Sequence, residues 1–371
     1  MSLFKFPRTI YFQRDIIDSL GEILEREGLR NVLVITDRNL LDSIGARVEK
    51  ALGSINREFF TDVLPEPSIG QIRDAVSVLR RRVYDAVIAI GGGSVIDFSK
   101  AMAIMLSNPD ADIGAVSPFE SLGLRIKIVA IPTTSGTGSD VSFGVVLSDK
   151  EGKLAMGNYE LVPEIDILDP SLTPKERKII VPTGIDALVH SFEAIASNTS
   201  NVLTDALAER AIETIFGNLE KAIENDETSK DLMHMAATMA GMAFSNSGTA
   251  SAHALGHSFG ATFHVTHGTS VGLFLIPTIL FNSQSPDTRE KYLRVCRILG
   301  VADIESLAGR LREFFRNVGQ PSRVRELGID EKTYLSKLDQ LVSLSIRDSE
   351  LAFNPVLAGE DDLRKLFLET F

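Results

Sequence analysis

The chain has 371 residues, 44% of them apolar and 24% charged, and a formal net charge of −12 with a pI near 5.1. This length points to two domains with room for a large core. The acidic balance argues against nucleic acid as a partner, because a phosphate-binding surface is basic. It leaves room for a nucleotide cofactor held by backbone amides. The single cysteine, Cys296, excludes an intrachain disulfide and a cysteine metal site and fits a reducing cytoplasm. No signal-peptide pattern and no run of 18 strongly apolar residues is present, so no membrane association is expected.

Residues 4–12 read as an extended start. Asp15 to Glu27 has helical spacing, with Ile16, Leu20, Ile23 and Leu24 on one face and Gly28 as a stop. Residues 31–37 form a buried strand ending in Asp37, residues 40–52 a helix, and Glu58 to Val63 a short strand. After a proline-rich loop, Ser68 caps a helix running to Arg82. Tyr84 to Ile90 is an apolar run of the doubly covered, parallel type. It enters Gly91-Gly92-Gly93-Ser94 and a helix over residues 95–106. A second such strand, 126–131, leads to Pro132-Thr133-Thr134-Ser135-Gly136-Thr137-Gly138-Ser139. Residues 141–148 and 153–157 flank a hairpin turn at Asp149-Lys150-Glu151-Gly152, and 164–170 is a last short strand. From Thr173 onward the patterns are helical. The expected architecture is an α/β domain over 1–170 with a largely parallel, Rossmann-like sheet, followed by an all-α domain over 171–371.

Three segments carry chemistry. The strand–Gly91-Gly92-Gly93-Ser94–helix unit lets a pyrophosphate approach the backbone and meet the free amides and positive dipole end of the helix; a tight strand-to-helix turn needs the same glycines. The loop from Thr133 to Ser139 offers hydroxyls to phosphate or ribose, and it also reads as a capped loop without a ligand. Asp37 is placed either to accept from ribose hydroxyls or to cap the next helix. Two such loops followed by a histidine-rich region suggest a cofactor in an interdomain cleft.

All six histidines lie between residues 190 and 267. Residues 232–286 contain no Lys, Arg, Asp or Glu, yet hold His234, His253, His257, His264 and His267. Buried polar groups need partners, and a metal ion is a good one for clustered imidazoles. Asp186 and His190 are spaced i, i+4 and share a helix face, as do His253 and His257. One carboxylate with neutral imidazoles suits Fe²⁺ or Zn²⁺.

Taken together, Gly91–Asp97, Pro132–Ser139, Gly184–His190, His253–Gly268 and the late Phe353-Asn354-Pro355 resemble the iron-containing (group III) alcohol dehydrogenases, over nearly the whole chain. The resemblance implies a metal held by Asp186, His190, His253 and His267, with His257 beside the nicotinamide and the reacting oxygen. It implies that Gly92, Gly93 and Ser94 hold the pyrophosphate, with Asp97 near the nicotinamide end and Thr133, Thr134 and Thr137 along the adenosine and ribose side. Lys153 would contact the cofactor, Asp37 would favour NAD over NADP, and Phe244 would border the substrate. The implied function is metal-dependent, NAD(H)-linked interconversion of a small alcohol and aldehyde by a homodimer. His264 is left between a role behind the ligands, one on the substrate side and a place in the core. A glycerol-type dehydrogenase, a sugar-phosphate cyclase and a non-catalytic NAD- or metal-binding module are the alternatives; the cyclase needs several basic residues that 232–286 lack.

Overall fold

The computed structural model describes residues 3–148 and 153–371, the side chain of Lys153 excepted. The hairpin turn expected at Asp149–Gly152 lies outside the described residues. The chain forms two compact units, Met1–Pro174 and Lys175–Phe371.

The first unit is built on a six-stranded sheet in the order β1-β8-β5-β4-β2-β3, every pair parallel. The strands are β1 (Thr9–Phe12), β2 (Asn31–Ile35), β3 (Asn56–Phe60), β4 (Ala86–Gly91), β5 (Lys127–Pro132) and β8 (Ile165–Leu168). β6 (Gly144–Ser148) and β7 (Lys153–Gly157) form a separate antiparallel pair. α1 (Leu20–Arg26), α2 (Arg38–Leu52), α3 (Ile69–Leu79) and α4 (Gly93–Ser107) join and cover the strands. Alternation along β4 sends Val87 to one apolar core and Ala86, Ile88 and Ile90 to the other, so the strand is buried on both faces, as its continuous apolar run requires.

The order of the strands positions the ligand loops. β3 lies on one side of β2 and β4 on the other, so the carboxyl ends of β2 and β4 flank a topological switch point, where open α/β sheets bind ligands. Asp37 follows β2 and the glycine turn ends β4. In-register pairing of Gly91 with Pro132 sets the threonine loop beside the glycine turn.

Three local expectations differ. The helix from Asp15 is split: residues 16–19 are 3₁₀ and α1 starts at Leu20. The Asp169 carboxylate accepts from the amides of Asp15 (2.8 Å) and Ile17 (3.0 Å), and Asp15 sits in the left-handed region at φ 63°. A tertiary partner thus replaces the first helical turn. β3 starts at Asn56, earlier than the apolar pattern, because pairing with Asn31 sets its register. α4 begins inside the glycine turn at Gly93.

The second unit is helical, with no strand among its described residues. Its helices are α5 (Arg177–Ala196), α6 (Val202–Ile223), α7 (Glu227–Ser245), α8 (Ser251–Phe263), α9 (His267–Asn282), α10 (Pro286–Leu299), α11 (Ile304–Val318), α12 (Glu331–Ser336), α13 (Leu338–Ser345) and α14 (Glu360–Thr370). One core runs through it, from Ile185, Leu188 and Phe192 of α5 to Phe274 of α9 and Phe367 of α14. By length and composition α5 is the one helix among the described residues fit to cross a membrane, but 78% of its apolar window is buried inside the protein, as in the core helix of a globular domain.

Candidate metal and cofactor sites

α5 brings Asp186 and His190 to one face, one turn apart, and α8 brings His253 to meet them. α9 opens with His267 at its first position. That position depends on the next residue: a side chain at Gly268 would collide with the Pro182 carbonyl, since an added Cβ would stand 1.9 Å from its oxygen. Glycine alone lets the start of α9 lie against α5. Gly256 does the same between α8 and α9, where a Cβ would fall 2.8 Å from the Val271 backbone.

The result is a point of convergence. Donor atoms of Asp186, His190, His253 and His267 all lie within 4.8 Å of one another. Asp186 Oδ1 is 3.2 Å from His267 Nε2, 3.8 Å from His253 Nε2 and 4.0 Å from His190 Nε2. Asp186, His190 and His253 are buried, whereas the His267 side chain is 38% exposed, so the cluster opens on one side. Asp186 Oδ1 and His253 Nε2, both facing the cluster, are buried without a well-directed hydrogen bond. Buried polar atoms left in this way need an explanation, and a cation among them is one.

The electrostatics agree with a ligand set. Burial pushes His190 down to about 3 and His253 well below the ordinary imidazole value, so both rings are neutral and keep a lone pair. Burial alone would raise Asp186, but His190, His267 and His253 around it hold the carboxyl below its usual range. One carboxylate and three imidazoles are the donor chemistry of a divalent transition ion.

Around the cluster, Phe244 of α7 stacks on His190 at 4.2 Å. His257 faces His267 ring to ring at 5.3 Å, and its Nδ1 lies 2.9 Å from Asp348 Oδ2. His264 ends α8 in the left-handed conformation at φ 56° and is exposed.

In the first unit, Gly92 starts α4 without a side-chain cap. Thr134 and Thr137 lie over the glycines: added Cβ atoms at Gly92 and Gly93 would stand 3.5 and 3.0 Å from them. The Thr133 amide donates to the Gly91 carbonyl at 3.0 Å. The Ser94 hydroxyl donates to the Pro65 carbonyl, tying the turn to the preceding loop. Asp97 is buried, and its Oδ2 accepts from the Val146 amide at 2.9 Å, so it fastens β6 to α4. Beside it, burial lowers the Lys100 ammonium to about 8; its Nζ donates to the carbonyls of Ser142 (2.7 Å) and Gly144 (2.9 Å). Asp37 caps α2, accepting from the Leu40 amide at 3.0 Å. Lys153 begins β7, its side chain lying outside the described residues.

Two residues absent from the sequence reading belong to the site. Glu193 lies at i+7 from Asp186 and i+3 from His190, a spacing that places all three on one helix face. That signal was available. Asp348, 91 residues from His257, had no local signal.

Two family models match: "Iron-containing alcohol dehydrogenase" over residues 7–170 and "Fe-containing alcohol dehydrogenase family, C-terminal" over residues 180–371. The chain belongs to the iron-containing alcohol dehydrogenases. It is 31% identical to the NADPH-dependent butanol dehydrogenase of Clostridium saccharobutylicum, covering 99% of this chain and 97% of that one. It is 30% identical to aldehyde-alcohol dehydrogenase 2 of Entamoeba histolytica over 98% of its own length, but spans only 46% of that protein; the chain spans about half the length of several of the curated relatives it matches. Among solved structures, the iron-containing alcohol dehydrogenase of Thermococcus thioreducens superposes with a TM-score of 0.92 at 28% identity over 99% of both chains. The sulfoacetaldehyde reductase of Bifidobacterium kashiwanohense, solved with NAD⁺, gives a TM-score of 0.89 at 28% identity over 100% of this chain and 98% of that one.

Proposed function

We propose that the chain is a metal-dependent, NAD(H)-linked alcohol dehydrogenase or aldehyde reductase. The observation that carries this reading is the meeting of Asp186, His190, His253 and His267 within 4.8 Å, with Asp186 Oδ1 and His253 Nε2 buried and without a well-directed hydrogen bond. These four residues hold Fe²⁺ or Zn²⁺; the donor set fits both. When bound, the ion supplies Lewis acidity at the substrate oxygen, and NAD supplies the hydride acceptor.

The chain's own residues do the rest. The amides at the start of α4 and the hydroxyls of Ser94, Thr133, Thr134 and Thr137 bind the cofactor's phosphates and ribose, with Asp97 toward its nicotinamide half and Lys153 as a further cofactor contact. Asp37 accepts from the adenosine ribose and repels a 2′-phosphate, favouring NAD over NADP. Phe244, stacked on His190, walls the substrate side, and the uncharged segment 232–286 keeps water out and the local dielectric low. His257 moves the proton, with its ring oriented by Asp348 Oδ2 against Nδ1. The substrate is a small alcohol or aldehyde. A cytoplasmic homodimer is the proposed setting.

The test is an anaerobic NADH-oxidation assay against short aldehydes, using chelator-stripped protein with Fe²⁺ or Zn²⁺ added back. Turnover that depends on the ion is expected. No turnover with any ion, with NAD binding intact, would overturn the reading in favour of a sugar-phosphate cyclase or a binding module.

A further inference from the structure

Glu193 is a buried carboxylate with no Lys or Arg partner among the described residues. Its Oε2 lies 2.6 Å from His253 Nδ1 and accepts from the Ala250 amide at 3.0 Å; Oε1 accepts from the Ala252 amide. It therefore does two things from α5. It takes up amides at the start of α8, where Ala250 provides no side-chain cap. It also meets the ring nitrogen of His253 that points away from Asp186.

We infer that Glu193 is a positioning residue that sets the tautomer and ring orientation of His253, and so its competence as a metal ligand. The inference rests on the metal reading above. Burial lifts the Glu193 carboxyl to about 7, while the two backbone amides it accepts favour the ionised form; as a carboxylate it can only accept from the ring, which places the His253 proton on Nδ1. Its lone pair is then on Nε2, the atom 3.8 Å from Asp186 Oδ1 and buried without a hydrogen bond. An imidazole held from behind by a carboxylate is better oriented and more basic toward a metal. Because Glu193 sits on the same helix as Asp186 and His190, α5 supplies two ligands directly and fixes a third that belongs to α8.

Glu193→Gln removes the charge while keeping the shape and the contact to the Ala252 amide. Glutamine keeps the length and one acceptor oxygen, which stays with the Ala252 amide, while its NH₂ takes the place of Oε2, the atom that serves both the Ala250 amide and His253. Facing His253 it presents an N–H, so Nδ1 must become the acceptor, the ring proton moves to Nε2, and the lone pair toward the cluster is lost. The experiment titrates Co²⁺ into chelator-stripped wild type and Glu193→Gln under argon, reading stoichiometry and affinity by chelator competition and the visible Co²⁺ spectrum, with thermal melts of the metal-free proteins alongside.

The wild type is expected to bind one ion, and Glu193→Gln to bind it about 10–100-fold more weakly, while its metal-free protein still melts cooperatively, with a fall in melting temperature no larger than the loss of the one capping bond to Ala250 gives. Equal affinity in the two proteins would overturn the role of Glu193 and leave the metal site standing. A wild type that binds no ion would overturn the metal reading and this inference with it. A second readout needs no variant: in histidine-¹⁵N-labelled, Zn²⁺-loaded wild type, His253 is expected to be protonated at Nδ1 and ligated at Nε2. The opposite tautomer would refute the inference even if Glu193→Gln failed to fold.

Discussion

The glycine turn of the first unit and the histidine cluster of the second are built on opposite plans. The turn is made of backbone, from consecutive residues at the end of one strand and the start of one helix, with Thr134 and Thr137 from the neighbouring loop laid over it. The cluster is made of side chains from α5, α8 and α9, aimed by glycines that let the helices touch and by carboxylates behind the rings. A backbone site depends on what is missing, namely Cβ atoms. A side-chain site depends on each donor being present and correctly turned. Substitutions should therefore fail differently in the two places.

The largest effect is expected at the cluster. Asp186→Ala removes the carboxylate that all three imidazoles face and should abolish stoichiometric metal binding, lowering turnover at least ~10³-fold. Metal analysis of purified protein beside kcat checks this. Full metal content in the variant would mean that the convergence of donors has another purpose.

At the glycine turn, Gly93→Val should spare the metal and weaken the cofactor. The added side chain meets Thr137 and fills the approach to the α4 amides, so KM for NAD should rise about 10–100-fold. Metal stoichiometry should be unchanged. Loss of both together would mean that the two sites are not separable in the way their construction implies.

A smaller effect is expected at Asp37, where two roles share one carboxylate. Asp37→Ser keeps an oxygen to cap α2 and removes the charge. The ratio of kcat/KM for NADP to that for NAD should rise about 10-fold, with little change in melting temperature. An unchanged ratio would leave Asp37 as a helix cap only.

The same contrast explains what the sequence made legible. β4 and β5 could be read as continuous apolar runs because they are buried on both faces, and the glycine turn could be read because it is contiguous. Asp186 with His190 was visible as a helical pair. Glu193 completes that face, three residues after His190, and its spacing carries the same helical signal. Asp348 could not be seen: only the path of the chain after α13 brings it to His257. The split of the first helix has the same cause. Asp169 reaches the amides of Asp15 and Ile17 from 154 and 152 residues away, and no local periodicity announces that.

The two units also bury carboxylates differently. Asp186 is surrounded by donors, whereas Asp166, in the middle of β8 between Ile10 of β1 and Ala130 of β5, has no hydrogen bond on either oxygen. Burial, with Asp140 adding to it, raises its carboxyl well above the ordinary value. Such a group is neutral in the folded state over a range where the unfolded chain has lost the proton. Between the unfolded and folded values the folded state binds more protons, so stability falls as pH rises through that window. Asp166→Ala removes both the unsatisfied oxygens and the linkage, and should stabilise the first unit by about 1–3 kcal/mol near pH 8. The gain should shrink toward pH 5, where the wild-type carboxyl folds at less cost. Urea unfolding of the metal-free proteins at several pH values measures it. Parallel wild-type and variant profiles would show that Asp166 ionises normally and that the sheet interior supplies it with a partner; converging profiles at low pH would confirm that this unit, unlike the metal cluster, carries a buried acid with nothing to bind.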